Sequence, residues 1–302
     1  MGDTKGILLA GGRGTRLYPM TAIASKQLQP VYNKPMIYYP LTTLVMSDIR
    51  EILVISGPDQ LPFYRQVLKD GSQWGLSIAY AEQAEPKGIA QALTIGASFI
   101  GESPVMLMLG DNLIYGALDF MRRAVRNNPP TEATVFAYQV GNPSDYGVVE
   151  FDSKFRAMSL EEKPAHPKSH WAVPGMYIYP AGVSERARAL QPSARGELEI
   201  TDLNRVYLNE GKLRVARMGR GVAWFDTGTP ESLLEAASFV HAIETRQGLF
   251  VGCPEEASLR MGFCSLETLQ QQIADLPNCP YRDYVAGLVE DLRAHPEEFP
   301  HA

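Results

Sequence analysis

The chemistry this chain could do starts at Gly11-Gly12-Arg13-Gly14-Thr15-Arg16, which follows directly on the apolar run Gly6 to Ala10. A glycine cluster after a strand brings backbone N–H groups within reach of phosphate oxygens. Arg13, Arg16, Lys26 and Lys34 add positive charge around it. Spacing excludes two common phosphate loops: no Lys stands where a Walker loop requires it, and the third position of a GxGxxG fingerprint counted from Gly12 and Gly14 is Leu17. What remains suits a nucleoside triphosphate gripped by basic side chains. Asp111 follows the apolar run Val105 to Leu109, and Asp226 follows Trp224 and Phe225, so each places a carboxylate at the end of a strand. One or two carboxylates completed by ligand phosphates and water are what Mg²⁺ prefers, although either Asp taken singly also fits a helix cap or turn.

The elements that must hold these residues alternate. Apolar runs at Ile52 to Ser56, Ser77 to Ala81, Val105 to Leu109 and Thr134 to Tyr138 are separated by stretches of helical length at Pro40 to Ser47, Phe63 to Lys69 and Ile89 to Phe99. Nearly continuous apolar strands are buried on both faces. The pattern therefore predicts an α/β fold: a Rossmann-like mixed, mainly parallel central sheet with helices on both faces, and ligands at the carboxyl ends of its strands. Shorter strands at Gly147 to Phe151, Ala172 to Tyr179 and Leu213 to Met218, with helices near Val183 to Leu190 and Asp202 to Glu210, extend the same sheet. Thr229 as N-cap, Pro230 at the first helical position and Glu231 then open a helix whose core stripe is Leu233, Ala237 and Val240. The expected division is a main unit over 1–247, with a nucleotide-binding core to about 138 and a part over about 139–228 that extends the same sheet, then a small C-terminal helical appendage over 248–302.

Composition narrows the partners. Twenty-eight basic and 34 acidic residues among 302 give a formal net charge of −6, which argues against nonspecific binding to nucleic acid or anionic lipid. The N-terminal apolar run is too short for a signal peptide, and no stretch approaches a membrane span. A cytoplasmic protein without membrane contact is expected. Cys253, Cys264 and Cys279 show no CxxC pairing and read as reduced packing residues.

Read with its continuation, the glycine loop becomes specific. LLAGGRGTRLYP followed by SKQLQPVYNKPMIYYP resembles the nucleotide-binding signature of the sugar-1-phosphate nucleotidylyltransferases, and QAEPKGIAQA, LGDNLIYG, DYGVVEFD, SLEEKPAHPKSHWAVPGMYIYP, PSARGELEITDLNR and GVAWFDTGTPESLLEA continue the resemblance in order. The branch resembled most is the short-type glucose-1-phosphate thymidylyltransferases, whose ending CPEEASLRMGF is similar to.

That resemblance implies a reaction of dTTP with glucose 1-phosphate, giving dTDP-glucose and pyrophosphate with Mg²⁺ as cofactor. A sugar phosphate is already ionised near neutral pH, so no general base is required. This accords with the lack of a Ser-His-Asp or Cys-His set in the sequence. Catalysis then rests on positioning and charge neutralisation. The resemblance gives Arg16 and Lys26 the triphosphate and leaving pyrophosphate, Lys163 the sugar phosphate with Arg195 as helper, and Asp111 and Asp226 the metal. Leu9, Gly11, Gly12, Gly14, Thr15, Gln27, Gln83 and Gly88 would receive the nucleotide, and Tyr146, Gly147, Glu162, Val173 and Trp224 the sugar. Glu197, Glu199 and Asp202 are left unassigned. Arg13 and Lys87 stand where the family pattern carries a small residue and an aspartate, and add charge beside the nucleotide. The resemblance further implies a homotetramer with a second site, at Tyr115, Gly116, Arg220, Glu256 and Arg260, for the feedback inhibitor dTDP-rhamnose. A UTP-using or other hexose-1-phosphate enzyme and a silent sugar-nucleotide-binding subunit are the alternatives.

Overall fold

The computed structural model describes residues 3–12 and 14–294, so Arg13 lies outside the described residues. Ile7, Leu8, Ile52, Val54, Ile55, Val105, Met106 and Met108 are wholly buried, because their strands are covered on both faces. One apolar cluster contains Ile7, Leu9, Ile55 and Leu107, and the other contains Leu8, Val54, Met106 and Met108. Neighbours along one strand thus enter opposite layers, as the period of two demands.

The order of the ten-stranded sheet begins with a parallel block, Ser77–Glu82, Glu51–Ser56, Lys5–Leu9 and Val105–Leu109. Met176–Tyr179 is inserted antiparallel between Val105–Leu109 and Ala133–Gln139, and Leu213–Arg217 runs parallel to Ala133–Gln139. Trp171–Val173, Gly147–Phe151 and Ala157–Glu162 complete an antiparallel edge. The expected extension of one sheet is present. The run Ala172 to Tyr179, however, is two strands broken at Pro174-Gly175: both halves pair with Ala133–Gln139, but on the other side the first meets Gly147–Phe151 and the second Val105–Leu109. The single helix expected over Ile89 to Phe99 is likewise split at Gly96 into Gln91–Ile95 and Ala97–Ile100. A Cβ at Gly96 would lie 2.8 Å from Ile7 Cδ1, so the absence of a side chain lets the helix break sit close on the sheet.

Helix Pro230–Gln247 opens on Thr229, whose side chain accepts from Ser232 N in a capping box, with Pro230 in the first turn. Its buried stripe is Leu233, Ala236, Val240 and Glu244, so Ala236 replaces the expected Ala237 and the stripe ends on an acid. Glu244 accepts from Lys34 Nζ at 2.7 Å, Asn33 Nδ2 at 2.6 Å and Val251 N at 2.9 Å. Lys34 is buried too, between the rings of Tyr39 and Phe250. Lys34 therefore does not belong to the phosphate-gripping cluster. Burial lowers its pKa from the ordinary lysine value, and the Glu244 contact opposes that loss. Lys34→Met should destabilise the fold by about 3–5 kcal/mol by stranding a buried carboxylate, with Lys34→Met/Glu244→Leu recovering much of it. Urea denaturation of the two variants checks this.

Beyond Gly248, a left-handed C-cap, helices Pro254–Arg260, Leu266–Asp275 and Pro280–Ala294 gather around Leu259, Leu269, Val285 and Val289. Helix Pro254–Arg260 packs on Tyr38–Met46, so the appendage has a small core and a fixed seat. All three cysteines are free, Cys253 and Cys264 buried and Cys279 half-buried. Among the described residues no helix is long and apolar enough to cross a membrane.

Candidate active site

The carboxyl ends of Lys5–Leu9 and Val105–Leu109 open on a cavity of about 390 Å³ that continues towards the antiparallel edge of the sheet. Asp111 and Asp226, 115 positions apart in sequence, meet here because Asn112–Tyr115 and Ala223–Asp226 form a separate two-stranded antiparallel sheet in which Asp226 lies opposite Asn112. Thr227 fixes the junction by donating from its N and Oγ1 to the Asp111 carbonyl at 3.1 and 2.8 Å.

The electrostatics of the two carboxylates differ. Burial pushes the Asp111 carboxyl up, but Lys26, which donates to Oδ2, together with Asn112 Nδ2 at 3.2 Å from Oδ1, holds it below the usual range. Asp226 is raised by burial and by the neighbouring Asp111 charge, which Lys26, Arg16 and Lys163 only partly offset. A buried and a half-buried carboxylate that repel one another fit a divalent cation. Among the described residues no group of three or more Asp, Glu, His or Cys could cage a metal, so ligand oxygens would have to complete its shell.

Arg16 extends from a short 3-10 turn, Thr15–Leu17, to lie against Gly228: a Cβ there would sit 2.7 Å from an Arg16 terminal nitrogen and 3.0 Å from Asp226 Oδ1. Lys163 follows strand Ala157–Glu162 with φ +43 and donates its backbone N–H to Tyr146 O at 3.0 Å. A non-glycine residue in this region is strained. Here the strain turns the lysine into the cavity, where it lines the wall with Arg16 and Lys26. Arg195 lines the same wall and donates to Glu199 Oε1 at 2.8 Å, with Ser193 Oγ donating to that oxygen at 2.8 Å.

On the parallel side, Leu9, Gly11, Gly12, Gln27, Gln83 and Gly88 line the cavity. Gln27 Nε2 donates to Gly11 O at 3.3 Å. Gly88, at φ +101, presses on another loop: a Cβ would come within 2.4 Å of Leu198 O, and Leu198 N donates to Lys87 O at 2.7 Å. Gly14 and Thr15 are not among the lining residues; Gly14, at φ +58, makes the turn that launches Arg16. The Lys87 side chain is exposed and pairs with Glu85 at 3.0 Å rather than entering the cavity. A Cβ on Gly11 would lie 2.2 Å from Gln83 Oε1. Gly11→Ala should therefore raise the nucleotide KM by about tenfold or more through displacement of that amide, with a smaller change for the second substrate, as steady-state kinetics would read.

On the antiparallel side, Tyr146, Gly147, Glu162, Val173 and Trp224 line the wall. Glu162 Oε2 accepts from Thr201 Oγ1 at 2.7 Å, and a Cβ on Gly147 would lie 3.3 Å from it, so Gly147 leaves that carboxylate accessible. The Trp224 ring stands 5.1 Å from that of Tyr146 and donates its indole N–H to Asn112 Oδ1 at 2.7 Å, which also accepts from Gly175 N at 3.1 Å. Sequence reasoning missed Asn112 and Thr201. Asn112 was recoverable as the neighbour of Asp111, whereas Thr201 at the start of helix Ile200–Asn209 resembles any N-terminal helix residue. Glu197 and Glu199 also line the cavity, whereas Asp202 pairs with Arg205 outside its lining.

Tyr115, Gly116, Glu256 and Arg260 line a separate cavity of about 180 Å³ between helix Tyr38–Met46 and the C-terminal segment. Arg220 lies apart from it, in a cleft with Arg217 and Trp171.

The family model for nucleotidyl transferases matches residues 5–243. Glucose-1-phosphate thymidylyltransferase of Neisseria meningitidis is 53% identical over 95% of this chain and 99% of its own, and that of Xanthomonas campestris is 49% identical over 98% and 100%. A crystal structure of UDP-glucose pyrophosphorylase with UDP-glucose superposes with a TM-score of 0.71 over 80% of this chain and 99% of its own at 22% identity, a likeness of fold.

Proposed function

The chain belongs to the nucleotidyl transferase family, and on that premise we propose that it transfers a thymidylyl group from dTTP to glucose 1-phosphate, releasing pyrophosphate. The observation that carries this reading is the convergence of Arg16, Lys26, Lys163, Asp111 and Asp226 on one cavity with an amide, Gln83, at its parallel side and a carboxylate, Glu162, at its antiparallel side. Relatives at about half identity over nearly the whole chain carry the thymidylyltransferase name.

The residues divide the work by charge. Gly11 and Gly12 offer backbone to the triphosphate, while Arg16 and Lys26 neutralise the charge that builds on the departing pyrophosphate. Lys163, assisted by Arg195, holds the sugar phosphate so that one of its oxygens attacks the α-phosphorus and the bond to pyrophosphate breaks. The attacking oxygen is already ionised, so no side chain has to take a proton. Glu162, held by Thr201, accepts from sugar hydroxyls, and Trp224 and Tyr146 form the sugar's wall. Gln83 meets the base edge, and Gly88, which lets its own loop press on the Leu198 backbone, holds that side of the subsite in place. Asp111 and Asp226 would hold Mg²⁺, which when bound supplies charge neutralisation and orientation of the phosphates.

The cavity lined by Tyr115, Gly116, Glu256 and Arg260 is the proposed regulatory site for dTDP-rhamnose, in a homotetramer that would have to bring Arg220 into play. A cytoplasmic location is the proposed setting, in keeping with three free thiols. Pyrophosphate release from a panel of nucleoside triphosphates and sugar 1-phosphates with Mg²⁺ tests the reading. Release with dTTP and glucose 1-phosphate is expected to be the fastest. A preference for UTP or for another sugar phosphate would overturn the substrate assignment, and no release with any pair would overturn the activity.

A further inference from the structure

Gln83 and Gln91 are coupled through a single oxygen. Gln91 Oε1 accepts from the backbone N–H of Lys87 at 2.8 Å and from Gln83 Nε2 at 2.8 Å. A backbone N–H can only donate, so the Gln91 atom facing it must be the carbonyl oxygen. That oxygen can only accept, so Gln83 must turn its NH₂ towards Gln91 and its own Oε1 the other way. Gln83 Oε1 accordingly lies against Gly11, and both residues line the cavity. The usual ambiguity of a glutamine amide is removed by a chain of contacts that begins at the main chain.

We infer that Gln91 is the specificity-positioning residue of the base subsite: by fixing the Gln83 amide with its carbonyl towards the nucleotide, it selects pyrimidines that carry a hydrogen on N3, and rejects cytosine. The inference rests on the proposed function, which places the base at Gln83. Thymine and uracil present an N3–H donor to the Gln83 carbonyl. Cytosine presents a bare N3 acceptor and would set lone pair against lone pair. Gln83 could serve cytosine only by rotating its amide, which would break its bond to Gln91 and leave the Gln91 oxygen with the Lys87 N–H alone. Neither thymine nor uracil demands that rotation, so this device separates both from cytosine without separating them from each other.

Three variants test this through nucleotide binding measured by titration calorimetry, a readout independent of turnover. In Gln91→Met the oxygen is gone, and the ratio of dTTP to dCTP affinity should fall by about tenfold or more, with the ratio of dTTP to dUTP unchanged. In Gln91→Glu the carboxylate still accepts from both donors, so the dTTP to dCTP ratio should be retained even though added negative charge weakens both nucleotides. In Gln91→Lys a donor replaces the acceptor, the Gln83 amide is turned round, and dCTP should gain on dTTP beyond the Met variant. A ratio unchanged in both Met and Lys, with all nucleotides weakened in parallel, would overturn the inference and leave Gln91 a structural residue. Equal affinity of the wild-type protein for dTTP and dCTP would overturn it as well. Wild-type turnover of dTTP with glucose 1-phosphate, followed alongside, reports on the proposed function alone.

Discussion

Asp226→Asn is expected to lower kcat by about 10²–10³-fold while leaving the protein folded. The substitution keeps the size of the side chain and its place opposite Asn112 in the two-stranded sheet. It removes one of the two charges available to a divalent cation. Because burial and Asp111 already raise the Asp226 carboxyl above its ordinary range, its charge is disfavoured in the folded protein. The neutral amide should therefore keep or slightly raise the melting temperature, which separates loss of chemistry from loss of structure. Turnover at increasing Mg²⁺ together with a thermal melt checks both. Full activity in this variant would remove the two-carboxylate metal assignment.

The second large effect is expected at Arg16. Arg16→Met should cost about 10³-fold in kcat, the order reached when an arginine that stabilises a transferring phosphoryl group is lost. The guanidinium sits beside Asp226 and against Gly228, where it can meet charge on the leaving group. The KM for glucose 1-phosphate should hence change little, and in the reverse direction pyrophosphate should bind more weakly. Steady-state kinetics in both directions decide it: a defect confined to the sugar phosphate would reassign Arg16 to the other substrate.

Lys34 shows where charge in a sequence misleads. It lies eight positions beyond Lys26 and extends the same run of basic residues, yet its partner Glu244 is 210 residues away in the core. Nothing local distinguishes a lysine that will face phosphate from one that will be buried against a distant acid. The helix carrying Glu244 was legible from Thr229 and Pro230, because capping is a property of adjacent residues. Its buried face was read one residue out at Ala236, because the face is chosen by the surfaces it meets. Strand identities along the parallel block were equally legible, since burial on both faces demands continuous apolar runs, whereas the break at Pro174-Gly175 depended on which neighbours each half would pair with.

The sequence by itself determined the alternation that makes the sheet, the glycine loop at the end of its first strand, and the choice of charge over acid–base chemistry. Those are consequences of residue type and short spacing. Only the tertiary structure decided that Asp111 and Asp226 share one site, that Lys26 faces the first of them while Lys34 turns away, and that Gln91 fixes the hand of Gln83. The physical reason is that a carboxylate's pKa or an amide's orientation is set by whatever stands within a few ångströms, and strand pairing chooses those neighbours from far along the chain.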